Sequence, residues 1–383
     1  MRRIILSALF PAILILSCAC ACAESTAEFE ASGEGIYNYC PAAFEEDGVR
    51  HIYYCTNTKA REIVDSIGFR TAVSVDGKWV YSDETIVLER TKFWKGWDTN
   101  HACDPDVIKG SFMYKEEEYS YLMAYLGCTT TNNQNNEIGL AASKTPSGPF
   151  IKIDEINPIV PFERDKSTAE RDAMFQWGVG QAALISIDKA GQVLLLYTSG
   201  RIEGTYLFCE RWDFSDLEHP RHLGDDWRNR VTIAGLMGRD MGYASLNNAD
   251  AVYDAESGHI YLAADGWPCY IEGVDEPGEP TFINSTVRVL RYTPAIEPDE
   301  LRDLTFSAGA WEQVALITSA DSGFPRNHNP GLVHDPYGWA LSSDALDVLY
   351  SVSEVKQPSN SLWTYRIHRL TVDLNVTGEK QAY

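Results

Sequence analysis

A five-residue frame recurs along the chain at positions 40, 104, 181, 248 and 329. Its copies are CPAAF (40–44), DPDVI (104–108), QAALI (181–185), NADAV (248–252) and NPGLV (329–333). Each begins with a polar residue or cysteine, continues with proline or alanine and a variable residue, and closes on two apolar ones. Self-similarity at a long period means that one supersecondary unit is repeated in space, and this restricts the fold more than any single motif does.

Every frame is followed by a turn and an aromatic or β-branched run: HIYYCTN, YSYLMAYLGCT, VLLLYTSG, HIYLAADG and DVLYSVSE. The turns EEDG, DKAG, DAESG and DPYG combine acid and glycine, which suits tight hairpins, so each unit opens with two antiparallel strands. Third strands follow in RTAVSV, EIGLAAS, TYLFCERW, STVRVLRY and LWTYRIHRL, and fourth strands in WVYSDETIVLE, FIKID and WEQVALI. Sets of three or four strands, repeated without helical periodicity between them, predict radial repetition, which protects sheet edges without closing one barrel. The expected fold is all-β, a five-bladed β-propeller that forms a single domain over residues 24–383. A β-sandwich, or two packed all-β domains, is the competing arrangement.

In a propeller the first strand of each blade lines the central channel. The residues that open the frames should then meet as a collar: Cys40, Asp104, Gln181, Asn248 and Asn329. Side chains two apart on a strand share a face, so Ala42, Asp106, Ala183, Asp250 and Gly331 are expected to form a deeper ring. Proline at the second frame position fits the start of a strand, where its missing N–H costs no ladder bond. The segments entering these strands, FWKGWDTNHACD, MFQWGVGQ, GRDMGYASLNN and GFPRNHN, place Trp94, Trp97, Trp177, Tyr243 and Phe324 near one end of the channel, with Arg239 and Asp240 beside them. Aromatic faces combined with Asp, Asn, Gln and Arg match a sugar ring, which presents apolar C–H faces and a rim of hydroxyls. Glycan is therefore the expected partner. The competing reading of these aromatics is packing between blades.

Residues 1–23 stand apart from the repeat. Arg2 and Arg3 precede an apolar run over 4–16 and then small residues, the layout of an export signal. Two endings compete: Ala21-Cys22-Ala23 would release a soluble protein from Glu24, whereas Ile15-Leu16-Ser17-Cys18, an imperfect lipobox, would leave Cys18 lipidated. The lipobox is the preferred ending. The apolar run is shorter than the ~20 residues of a spanning helix, so the expectation is an exported monomer, periplasmic or on the outer surface of a bacterium, touching membrane only through that lipid. A formal net charge of −23 argues against nucleic acid as a partner, because such a surface repels phosphate backbones.

The blade pattern resembles the five-bladed propeller glycosidases, the clan that contains glycoside hydrolase families 43, 62 and 117. The likeness is carried by DPDVI followed by NEIGLAASKTPSGPF (136–150), which is similar to the family 43 order of "DP", hairpin, and then a GLA-to-GPF segment, and by NHNPGLVHDPYG (327–338) in the last blade. Family 43 enzymes invert configuration, with a general-base Asp opening blade 1, an orienting Asp opening blade 2 and a general-acid Glu at blade 3. Carried over by position, the orienting residue falls on Asp104, whereas the base position holds Cys40 and blade 3 offers Gln181. Inverting hydrolysis needs an acid and a base carboxyl about 6.5–9.5 Å apart. Asp104 with Asp250 across the channel, His328 as an acid in the manner of family 117, and the loop acids Asp172, Glu203 and Asp240 are the candidates for the missing roles. The resemblance thus implies a glycoside hydrolase acting on arabinose- or xylose-type glycans. A catalytically inactive propeller that binds glycan at the cell surface is the alternative.

No cofactor is expected. Calcium in the channel is conceivable on the hard oxygen ligands Asp106, Asp250 and asparagine, but no calcium-loop spacing and no CxxC zinc signature is present. Six cysteines follow the leader: Cys40, Cys55, Cys103, Cys128, Cys209 and Cys269. Hairpin register brings Cys40 near Cys55 and Cys103 near Cys128, so cross-strand disulfides are plausible; buried free thiols are the equal alternative.

Overall fold

The computed structural model describes residues 25–29, 33–93, 95–130, 135–162, 176–201, 204–231, 247–266, 284–307, 309–354 and 362–375. The repeat becomes five antiparallel strand sets, and short parallel pairings join those of blades 5, 1 and 2 into one continuous sheet. Their inner strands are Asn38–Glu46, His101–Tyr114, Gly178–Ser186, Asn247–Tyr253 and Arg326–His334, each carrying one frame. The aromatic and β-branched runs form the second strands, Val49–Asn57, Glu117–Cys128, Gln192–Arg201, Ile260–Gly266 and Ala345–Ser353. Third strands are Asp65–Val75, Glu137–Ser143, Gly204–Asp213, Thr286–Tyr292 and Arg366–Asp373.

The outer edges vary. The segment expected as one fourth strand in blade 1 splits into Lys78–Tyr81 and Thr85–Leu88, both pairing with the third strand. Blade 2 ends in Ile151–Lys152, blade 3 in Arg221–His222 and Arg228–Val231, and blade 4 in Trp311–Ile317. Blade 5 takes its outer strand from the other end of the chain: Thr26–Ala27 pairs antiparallel with Arg369 and His368. Glu28, buried beside Arg50 of blade 1 at 3.6 Å and Arg369 of blade 5 at 3.2 Å, ties this segment to both blades.

Alternation along each strand explains why the ring closes. In VLLLY, Val193, Leu195 and Tyr197 join the core between blades 2 and 3, whereas Leu194 and Leu196 join the core between blades 3 and 4. Both faces of a blade are buried, so its strands read as continuous apolar runs. The three remaining seams have cores of their own: Phe44, Tyr53, Val107 and Met123 between blades 1 and 2; Val252, Leu332 and Val348 between 4 and 5; Ala43, Ile52, Val333 and Leu349 between 5 and 1. The last of these brings the final blade against the first, which neither a sandwich nor two separate domains would do.

The frame itself is a β-bulge. Register slips between Tyr39 and Ala42, Cys103 and Asp106, Gly180 and Ala183, Asn247 and Ala249, and His328 and Gly331. At every slip the residue that opens the frame has positive φ: 49° at Cys40, 44° at Asp104, 40° at Gln181, 45° at Asn248 and 47° at Asn329. Proline therefore does not begin the strand, as its position suggested, but follows the left-handed residue inside it. A bulge tolerates proline for the same reason a strand start does, because no ladder partner awaits its nitrogen.

Candidate functional site

The bulges turn the five opening side chains and their amides away from the ladder, and four of the freed N–H groups are caught by the preceding blade. Cys40 N–H donates to Ser351 Oγ at 3.0 Å, Asp104 N–H to Cys55 Sγ at 3.0 Å, and Asn329 N–H to Asp265 Oδ1 at 2.7 Å. These acceptors hold equivalent places: Ser351, Cys55 and Asp265 stand opposite His328, Tyr39 and Asn247, the residues just before each frame. Gln181 N–H donates instead to the Asp104 carboxylate. Each capture satisfies a buried donor that would otherwise cost about 1–3 kcal/mol.

The collar converges. Gln181 of blade 3 reaches across to blade 5, donating through Nε2 to the Pro330 carbonyl at 2.6 Å and accepting from Asn329 Nδ2 at 3.3 Å. Asn248 donates to Asp265 Oδ2 at 2.8 Å, and the Cys40 thiol hydrogen-bonds the Asp104 carboxylate. Asn248 is half-buried; the other four collar residues are buried.

Two carboxyls dominate the electrostatics. Burial pushes Asp104 up to about 6, against hydrogen bonds from the Cys40 thiol and the Gln181 amide, with the Asp65 charge adding to the rise. Asp265 rises to about 7, again through burial, although it accepts from Asn284, Asn248 and the Asn329 amide. The Asp104 charge contributes to that shift, so the two groups feel one another. Asp265 was not singled out in the sequence. Its signal was register: it lies in HIYLAADG, on the second strand of blade 4 and opposite the bulge, where its side chain reaches the opening of the next frame. Asp65 and His101 were missed too. His101 Nδ1 stands 2.6 Å from Asp65 Oδ2, and Asp65 accepts from Tyr37 at 2.5 Å and Tyr39 at 3.1 Å.

The deeper ring binds the blades to each other. Asp106 Oδ2 accepts the Leu184 amide of blade 3 at 2.6 Å, and Asp250 Oδ2 accepts the Leu332 amide of blade 5 at the same distance. Leu184 and Leu332 are both the fourth residues of their frames. His334 Nε2 lies 3.4 Å from Asp106 Oδ1. Burial lowers the His334 imidazole, but the Asp106 hydrogen bond and the charges of Asp106 and Asp250 outweigh it and carry it to about 9. Asp250 is raised to about 7 by burial and by the Asp106 charge. The His334 imidazolium thus lies beside the Asp106 carboxylate in this ring.

His328 is a neutral imidazole. It is buried, with Nδ1 bonded to Asn329 Oδ1 and its ring edge-on to Tyr365 at 4.9 Å, and desolvation pushes it down to about 3. The aromatics divide. Trp177 stays by the collar: a Cβ built on Gly180 would lie 3.4 Å from its ring, 2.6 Å from Leu126 and 3.6 Å from Asp104 Oδ2. Trp97 lies on Gly127 and Gly139 and joins the core between blades 1 and 2. Phe324 packs edge-on against His368 at 5.1 Å, beside the core of blades 4 and 5. Trp94, Asp172, Glu203, Arg239, Asp240, Tyr243 and Cys269 lie outside the described residues, as does the leader with Cys18.

The cysteines pair differently from either cross-strand expectation. Cys55 is bonded to Cys103, joining blade 1 to blade 2, and Cys40, Cys128 and Cys209 are buried thiols outside that disulfide. The left-handed bulge moves Cys40 out of the register that would have faced it to Cys55, and the inner strand of blade 2 brings Cys103 there instead.

Neither a protein-family model nor a curated protein sequence matches the chain. Solved structures do. A thermostable family-43 glycoside hydrolase aligns at 15% identity over 90% of this chain and 91% of its own, with a TM-score of 0.50. The GH43_1 enzyme from Xanthomonas citri, complexed with xylotriose, aligns at 12% identity over 91% and 90%, with a TM-score of 0.50. An exo-β-1,3-galactanase from Phanerochaete chrysosporium, with β-1,3-galactotriose, aligns at 14% identity over 92% of this chain and 64% of its own, with a TM-score of 0.52. Five blades, five seams and these alignments agree: the chain has the β-propeller fold of the family-43 glycoside hydrolase structures.

Proposed function

We propose that the protein is an exported glycoside hydrolase that cleaves arabinose- or xylose-type glycans at the collar, with Asp104 and Asp265 as its carboxyl pair. The observation that carries this reading is the convergence of those two buried carboxyls, from blades 2 and 4, in one polar ring beside Trp177. Burial raises both, to about 6 and about 7, so near neutral pH one carboxyl of the pair can carry the proton that a leaving group needs while the other is ionised. The oligosaccharides bound in the neighbouring structures support a glycan ligand. The leader supports export, with Cys18 as the lipid-anchored residue, and the acidic surface gives no reason to invoke nucleic acid.

The test is sugar release from a polysaccharide panel, followed by NMR of the product anomer. Asp104→Asn and Asp265→Asn should each lower kcat/KM by about 10²–10⁴, and the rate should peak between pH 6 and 7 with inversion of configuration. Release that survives either substitution removes that residue from the mechanism. A second reading, glycan binding without turnover, is favoured by Cys40 and Gln181, which stand where the family resemblance calls for a base and an acid. Binding to the panel with no product in any fraction would select it.

A further inference from the structure

Three sulfur atoms and a carboxylate meet where blades 1 and 2 face the collar. Cys40 Sγ, Cys55 Sγ and an Asp104 carboxylate oxygen all lie within 4.8 Å of one another. Cys103 Sγ, bonded to Cys55, stands 3.1 Å from Asp104 Oδ1. All four residues are at least nine-tenths buried. They come from two adjacent bulges and the strand between them, so their spacing is set by the fold rather than by a flexible loop.

We propose that Cys40, Cys55, Cys103 and Asp104 form a redox-gated site that holds one zinc-class divalent cation when the disulfide is open. The opening step balances with a dithiol reductant: the dithiol gives two electrons and two protons, becomes a cyclic disulfide, and leaves Cys55 and Cys103 as thiols. Metal entry then releases the three thiol protons to solvent, giving three thiolates and one carboxylate. That is the closed four-ligand set of a tetrahedral zinc site. With Zn–S near 2.3 Å and Zn–O near 2.0–2.2 Å, the ligand atoms of such a site are roughly 3.5–3.8 Å apart. Cys40 Sγ, Cys55 Sγ and the Asp104 oxygen start within 4.8 Å of one another, and opening the disulfide lets Cys55 and Cys103 Sγ part from bonding distance to that spacing. Thiolates select zinc-class ions over calcium and magnesium.

One further observation suits a cation here. The Asp104 amide already donates to Cys55 Sγ. That bond strengthens once the sulfur carries negative charge, the usual support given to a metal ligand by its neighbours. In the oxidised protein the disulfide takes up two of the four ligands, leaving only Cys40 and Asp104.

This proposal shares Asp104 with the hydrolase reading but is tested apart from it, with metal alone. The full chain is reduced with a dithiol, desalted without oxygen and titrated with Co²⁺, reading thiolate-to-cobalt charge-transfer absorbance, then back-titrated with Zn²⁺. The expected result is one ion per reduced chain, displaced by zinc, and no such absorbance in the oxidised chain. Cys40→Ser should remove about a third of the absorbance, as one thiolate of three is lost, and weaken binding at least about tenfold. A chain with Cys18, Cys20, Cys22, Cys128, Cys209 and Cys269 all changed to Ser should still bind one ion. Equal binding by the oxidised chain, or an unchanged signal in Cys40→Ser, would overturn the proposal. So would loss of near-ultraviolet circular dichroism on reduction, since the site requires a folded collar.

Discussion

Replacing Asp106 by Ala tests how the axis is held. The carboxylate accepts the Leu184 amide from blade 3 and the Val107 amide of its own strand, and it faces the His334 imidazolium of blade 5. Its removal leaves a buried cation without its nearest partner, which costs about 3–5 kcal/mol. The pH dependence gives an independent reading. His334 is raised from an ordinary value near 6.5 to about 9, so its contribution to stability is complete below pH 6.5 and is lost as pH rises through 9. A shift of that size corresponds to about 3 kcal/mol in full, of which about 1 kcal/mol remains at pH 8. The raised carboxyls Asp104, Asp250 and Asp265 have ionised by pH 8, so the interval from pH 8 to 10 isolates the histidine among these groups. Urea denaturation of wild type and Asp106→Ala at pH 6, 8 and 10 is the assay. We expect a deficit of about 3–5 kcal/mol in the variant at pH 6 that narrows towards pH 10. A deficit below about 1 kcal/mol at pH 6, or one that does not change with pH, would refute the claim that this ion pair ties three blades together.

Three other substitutions probe contacts between blades. A Cβ on Gly331 would lie 2.1 Å from the Pro41 carbonyl, so Gly331→Ala should force blades 5 and 1 apart and lower stability by about 1–3 kcal/mol, read as a shift in the urea midpoint. Cys103→Ser opens a bond between residues 48 apart, and chain entropy sets an upper value of about 4 kcal/mol for the loss; calorimetry showing no change in melting temperature would mean that the bond is absent in solution. Arg50, buried under Trp79, bonds Glu45 at 2.7 Å and Asp347 at 2.6 Å and faces Glu28 at 3.6 Å. Arg50→Ala should cost up to about 3 kcal/mol, because buried Glu28 keeps Arg369 but loses its other cation, with faster proteolysis near the N-terminal strand as a second readout.

The radial architecture was legible because five copies of one frame are hard to explain otherwise, and because runs such as VLLLY signal burial on both faces. The collar positions were legible for the same reason. What the frame hid was its own geometry. Pro41, Pro105 and Pro330 are equally at home at a strand start and in a bulge, so their presence could not distinguish the two. The left-handed turn at Cys40 and Asp104 then changed which cysteines meet, and a pairing scheme based on regular register could not anticipate Cys55 with Cys103. Asp265 stayed hidden because its importance comes from the blade that follows it rather than from its own strand. His334 sits at the end of NPGLVH and looks like an ordinary turn residue until blades 2 and 4 bring Asp106 and Asp250 to its side. Trp97 and Phe324 were read as lining the mouth, yet flat glycine surfaces and inter-blade gaps offered them more contact.

The ring's final joint unites Thr26–Ala27 with Arg366–Asp373, the first and last strands among the described residues. Until the later strand has been made, the earlier one has nothing to pair with, and Glu28 lacks Arg369 at its side. A polypeptide threaded head-first through a pore would therefore carry four finished petals and an unlocked fifth until its tail came through. A carrier fused ahead of Ser25 would join the chain beside the outermost strand of blade 5.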